Sequence, residues 1–172
     1  DGLVVIEPYK GAYVTPMSVE KIKENYQIMA MLMSYSLKLA IFNLSNADIS
    51  ELKSIVSAQK KLDKSQAREW ELLNRRFHKI IYMKCGNQKL IDMIYKNAPF
   101  ISFWFIYLSY PDRILANTKE HEKIIEAIQK RDVDQASRLM EEHLSSDKVL
   151  NSMNVQMTVG NWVDWREKSI TL

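Results

Sequence analysis

Ile114-Leu115-Ala116-Asn117-Thr118-Lys119-Glu120-His121-Glu122-Lys123-Ile124-Ile125-Glu126-Ala127-Ile128 is the stretch that decides the fold class. Ile114, Asn117, His121, Ile124 and Ile128 follow one another at steps of three and four, the spacing of one face of an α-helix. The helix they belong to is expected to open at Asp112 and end near Lys130, with His121 turned inward among aliphatic residues.

The next segment repeats the pattern. Val133, Ala136, Met140, His143 and Leu150 line one side of a helix opened by Asp132 and running to about Leu150, so His143 points inward as well. Working back along the chain, Asn74, His78 and Ile81 share a side of a helix expected from Ser65 to Cys85, with Asn74 and His78 stacked one turn apart. Gly86 supplies the left-handed stop for that helix.

Three more helices complete the reading. Ser18 caps a long one ending near Asn43, whose inward residues are Val19, Ile22, Tyr26, Met29, Met33, Ser36 and Ala40. Asn46 caps one through about Leu62. A third starts after Asn87 and continues to about Tyr110, kinked where Pro99 removes a backbone donor, and Pro111 ends it. The fold class is therefore all-α: an antiparallel six-helix bundle, preceded by a short β-hairpin formed by Leu3–Ile6 and Ala12–Val14. Four Gly and four Pro in 172 residues are too few for the tight turns of a β-sandwich or barrel.

Composition sets wide bounds. A hydrophobic share of 47% and a charged share of 26% describe a folded globular domain. A net charge of +3 is too small to argue for nucleic acid, membrane or an acidic substrate as a direct partner. Cys85 stands alone, which fits a reducing compartment such as the cytoplasm. The apolar run from Ala98 to Tyr110 falls short of the ~20 residues a membrane-spanning helix needs. The chain opens on Asp1 with no basic-then-apolar leader and is expected to be cut from a longer one. Trp162, Val163, Trp165 and Ile170 make the last segment too apolar for a solvated tail, so docking on this chain or a second copy is expected.

The chemistry rests on the chain's three histidines. Any single inward His is most simply a hydrogen-bonded core residue. Three of them on three helices, with the Asn74 amide one turn before His78, are better explained by a shared divalent cation, with a position left for water or a ligand. Zinc, nickel, iron and manganese all suit three nitrogens and an oxygen. A ferritin-like di-iron site is excluded, because Thr118 and Met140 stand where it requires Glu. A metallohydrolase needs a general base, and Glu120 and Glu142, each adjacent to a His, are rotated about 100° off the His direction. A metal-free helical interaction domain is the third alternative.

The hairpin, the six helices, Phe77-His78 after an amide, Glu120-His121 followed by Ile124-Ile125, and Glu142-His143-Leu144 together resemble the effector-binding FCD domain of GntR-type transcription regulators of the fatty-acid-metabolism-regulator subfamily. The resemblance implies that residues 1–15 are the wing hairpin of a truncated winged helix-turn-helix DNA-binding domain. Residues 16–153 would be the helical effector-binding and dimerisation domain, and 154–172 a C-terminal tail. It also implies a metal site at Asn74, His78, His121 and His143, where relatives place an Asp and three His, with zinc or nickel favoured over manganese or iron. The amide of Asn74 is a poorer donor than that carboxylate. Met29 stands where many relatives carry Arg, and Ala98–Trp104 occupies a segment that is often arginine-bearing. Met29, Met33, Asn117, Phe103 and Trp104 are therefore expected to line a pocket for an apolar or aromatic small-molecule effector. The implied protein is no enzyme but a cytoplasmic homodimer, without a membrane role, that meets DNA through its missing N-terminal head.

Overall fold

The computed structural model describes residues 4–7, 11–14, 19–63, 65–98 and 112–145. Among them are six helices: α1 (Val19–Ala40), α2 (Asn46–Gln59), α3 (Ala67–Tyr82), α4 (Gln88–Asn97), α5 (Asp112–Gln129) and α6 (Val133–His143). Two four-residue strands, β1 (Val4–Glu7) and β2 (Gly11–Val14), pair antiparallel with Val4 opposite Val14 and Glu7 opposite Gly11. The expected kink at Pro99, the continuation of α4 to Tyr110, the side chains of Phe103 and Trp104, the Ser18 cap and the tail 154–172 lie outside the described residues.

Local chemistry sets the helix boundaries. The residue that caps α2 is Ser45, one before the expected Asn46. Its hydroxyl accepts from the Asp48 amide at 3.2 Å, and the Asp48 carboxylate accepts from the Ser45 amide at 2.8 Å, so two orphan donors are satisfied reciprocally. Ser65 does not cap α3. Its hydroxyl donates to Asp63 in the preceding turn, and the helix starts two residues later behind Gln66. Asn87 and Asp132 cap α4 and α6 as expected, accepting from Leu90 and Gln135 amides.

Two helix ends use left-handed residues. Gly86, at φ +70°, turns the chain after α3, which closes at Tyr82 rather than Cys85. Arg131, at φ 55°, closes α5: its amide bonds to the Ile128 carbonyl and the Asp132 amide to the Ala127 carbonyl, the two bonds of a Schellman turn. An arginine is costly there, but its guanidinium donates to the Ile41 and Leu44 carbonyls just beyond α1. The turn after α5 thereby caps the end of α1. The sixth helix ends at His143, well short of Leu150, where Leu144 leaves helical geometry and Arg113 donates to the His143 carbonyl at 3.2 Å.

α1 packs most extensively along α6 and also meets α3 and α4; α2 lies against α3 and α5, and α5 against α6. The described part of the expected α1 face is buried, from Tyr26 through Met29, Met33 and Ser36 to Ala40. Leu37, Ile41, Leu52, Phe77, Ile81, Ile94, Ile124, Ile128 and Met140 complete one continuous core. A small satellite of Ala67, Trp70 and Ile114 joins the beginnings of α3 and α5. No helix among the described residues is long and apolar enough to cross a membrane.

Candidate metal centre

Phe77, His121 and His143 mark where α3, α5 and α6 come together. The three imidazoles meet as the helical spacing requires. His143 Nε2 lies 3.2 Å from His121 Nε2 and 3.3 Å from His78 Nε2, and one nitrogen from each ring falls within 4.8 Å of the others. All three side chains are buried. Two nitrogens each ~2.1 Å from a common ion, at angles between octahedral and tetrahedral, are ~3.0–3.4 Å apart, so these separations suit a shared cation.

The far edges of the rings are held from outside. His121 Nδ1 is 3.1 Å from Gln59 Oε1, at the last position of α2. His143 Nδ1 is 2.7 Å from Glu120 Oε2, and Arg113 holds both Glu120 oxygens, at 3.1 and 3.3 Å, from two turns earlier on α5. With those oxygens accepting, the Nδ1 atoms carry the protons, and a neutral ring then presents a bare lone pair at Nε2. Two such lone pairs 3.2 Å apart repel unless a positive centre sits between them.

Burial reinforces the neutral state. Desolvation, followed by the repulsion a proton on His143 would exert, holds His78 well below the usual imidazole range. For His121 desolvation acts first, followed by the repulsion that protons on His143 and His78 would exert and by the Arg113 charge, in the same downward direction. His121 also lies nearly parallel to Phe77, ring centroids 4.0 Å apart, and to Trp70 at 6.1 Å. Trp70 Nε1 donates to Thr118 Oγ1 at 3.2 Å, and Thr118 donates in turn to the Ile114 carbonyl. These bonds anchor the start of α3 on α5.

Asn74 is fully buried, and its Oδ1 has no hydrogen-bond partner among the described residues. A buried carbonyl oxygen left without a donor is costly, and a cation one turn from His78 would satisfy it. Of the expected effector-lining residues, Met29, Met33 and Asn117 are buried, and Phe103 and Trp104 lie outside the described residues. Another polar group in the interior is Tyr26 on α1. Burial raises its hydroxyl well above the usual tyrosine range, opposed by the charge of Arg113 and assisted by that of Glu71.

Spacing alone pointed to the three rings that cluster here but not to the residues behind them. Gln59 follows Leu52, Ile55 and Val56 on the buried stripe of α2, and an amide on an apolar stripe was the available signal. Arg113 and Glu120 stand seven apart on one side of α5. Glu120 indeed does not face the Nε2 side: it is committed to the opposite edge of His143, as its rotation off the His direction requires.

An FCD domain family model matches residues 24–146. Among solved structures the chain is similar to a GntR-family transcriptional regulator from Pseudomonas syringae pv. tomato, with a TM-score of 0.65 and 21% identity over 90% of this chain. It spans 66% of the length of that protein. McbR/YncC of E. coli is similar at a TM-score of 0.68 and 15% identity, over 86% of this chain and 76% of that one. At these identities the structural likeness speaks for the fold. No curated protein matches the chain. The match over most of the helical region establishes that this chain belongs to the FCD domain family, the regulatory and non-enzymatic helical domain of GntR-type transcription regulators.

Proposed function

We propose that this FCD domain senses a small molecule through a divalent ion held by His78, His121 and His143, with the Asn74 oxygen as a fourth donor. The observation that carries this reading is the facing pair of Nε2 atoms on His121 and His143, each ring with an oxygen at its opposite edge that can accept the Nδ1 proton. Zinc and nickel suit an imidazole-rich set best, with manganese and iron as weaker fits. When bound, the ion supplies a Lewis-acidic site with room for an effector atom. Met29, Met33 and Asn117, with Phe103 and Trp104, would form the surrounding pocket for an apolar or aromatic effector.

The sensing domain would act in a cytoplasmic homodimer whose N-terminal heads hold DNA, the β1–β2 ribbon being the wing of such a head. Support for dimerisation comes from α1. Glu24, Ile28, Met31, Tyr35 and Lys38 recur at steps of four and three along its outer side, Phe42 continues the spacing in the turn that follows, and all six are exposed, Met31 at 57% and Phe42 at 70%. That is an a/d seam facing outward. Antiparallel, two-fold pairing sets Glu24 near Lys38 of the partner subunit, whereas parallel pairing superposes like charges.

Elemental analysis of the purified chain, followed by zinc titration of the chelated protein, tests the metal reading. One ion per chain is expected, with Asn74→Asp binding it more tightly because a negative charge is added beside the cation. No metal on isolation and no zinc uptake on titration would refute it, and leave the metal-free helical domain in its place.

A further inference from the structure

The three imidazoles are alike in burial but not in support. His143 is backed by a carboxylate that Arg113 clamps through two contacts, and the same guanidinium also reaches the His143 carbonyl. His121 is backed by the neutral Gln59 amide and lies face to face with Phe77. His78 Nδ1 is buried and has no hydrogen-bond partner among the described residues. Its ring meets Phe77 edge-on at 5.4 Å and stacks on His143 at 5.2 Å, contacts that leave rotation about its side-chain bonds less constrained than a hydrogen bond would.

We infer that Glu120, held by Arg113, and Gln59 are positioning residues that pre-orient His143 and His121 as a fixed pair for the ion, and that His78 is the ligand that yields. The inference rests on the metal reading above. Outer acceptors act by fixing the ring tautomer and rotation, so that Nε2 offers its lone pair without a further ordering cost. A carboxylate also raises the basicity of the ring it holds. The pair is built on α5 and α6, which pack on each other, and is tied to α2 through Gln59. His78 and Asn74 both come from α3. Of the residues that would hold the ion, His78 would therefore give way most readily to an effector atom.

The test uses the chelated chain with zinc alone as the probe, read by calorimetry, together with long-range proton–nitrogen NMR of the histidine rings in the absence of metal. Glu120→Gln keeps an acceptor at His143 but deletes the charge, and Gln59→Leu deletes the acceptor at His121. Each is expected to weaken zinc binding by ~10–100-fold, with Gln59→Glu restoring or exceeding the original affinity. The spectra should show Nδ1-protonated His121 and His143 in the unaltered chain, with a tautomer mixture at His121 alone in Gln59→Leu. His78→Ala should retain measurable zinc binding where His121→Ala and His143→Ala do not.

Losses smaller than about threefold in either positioning variant, or equal losses from all three alanine variants, would overturn the inference. Failure of the unaltered chain to bind zinc would instead remove the metal reading itself. The tautomer spectra would in that case still decide whether the two rings are anchored as described.

Discussion

Acidification of the metal-free chain offers a direct measure of how strongly the fold depends on neutral imidazoles. His78 and His121 are buried, and desolvation holds both well below the ~6.5 of an exposed histidine. Below pH ~6.5 the unfolded chain therefore binds protons that the folded chain refuses. Stability is full above that value and falls as the pH drops toward the folded-state values. At pH 5.5 each of the two groups costs somewhat more than ~1 kcal/mol, or about 3 kcal/mol together. A chain of this size loses ~2–4 °C of melting temperature per kcal/mol, which gives a fall of roughly 6–12 °C between pH 7.5 and 5.5. Circular dichroism melts in chelator measure it. Asp48, whose carboxyl is held at about 2 by the Ser45 hydroxyl and then by Lys84, loses its charge at lower pH than this window. Zinc at 100 times its dissociation constant should add ~2.7 kcal/mol at pH 7.5 and lose that increment on acidification, since protonated imidazole cannot ligate. A melting temperature in chelator that stays flat or rises from pH 7.5 to 5.5 would refute the assignment of His78 and His121 as neutral buried rings.

Arg131→Gly should relieve a left-handed backbone cost of ~1 kcal/mol while losing two guanidinium–carbonyl bonds worth ~1.5–3 kcal/mol each, and urea unfolding is expected to show a net loss of ~2 kcal/mol or more. Gly86→Ala meets no atom within 4 Å of the added Cβ, so its cost should be the conformational ~1 kcal/mol alone; a larger loss would mean a clash that the open surroundings of Gly86 do not contain. Met31→Glu with Tyr35→Glu should leave the melting temperature of the isolated fold within a few degrees, both side chains being half exposed or more, and shift sedimentation from dimer to monomer. Trp70→Phe removes the bond to Thr118 and part of a fully buried ring, an expected loss of ~1–3 kcal/mol read by the same unfolding titration.

The helices were legible because each carries a long, periodic apolar stripe, and the inward placement of His78, His121 and His143 followed from the same periodicity. Boundaries were less legible where two cap candidates stand side by side. Ser45 and Asn46 can each cap a helix, and the choice falls to Ser45 because Asp48 sits three residues on and closes the reciprocal box. Ser65 lost its role to a local alternative, an aspartate two residues earlier that takes its hydroxyl proton. The end of α6 was set by an element remote in sequence, since Arg113 reaches the His143 carbonyl across thirty positions. Periodicity within α6 carries no trace of that contact.

The same limit explains why the three clustered histidines could be read and the residues behind them could not. A ligand betrays itself by residue type on an inward stripe, because few other side chains offer a lone pair to an ion. An orienting residue is an ordinary Gln, Glu or Arg, and its role exists only when helix packing brings it to the back of a ring. Gln59 and His121 come from α2 and α5, and Glu120 and His143 from α5 and α6, so each pairing depends on how two helices lie together. Within α5, adjacency gives the arrangement its economy: residues 120 and 121 point about 100° apart, so one turn of helix supplies a ring to the cluster and an anchor to the ring beside it. A change that slides α5 along α6 therefore moves His121 and Glu120 together, whereas a movement of α3 carries His78 and Asn74 and, with them, the Phe77 and Trp70 rings that stack beside His121.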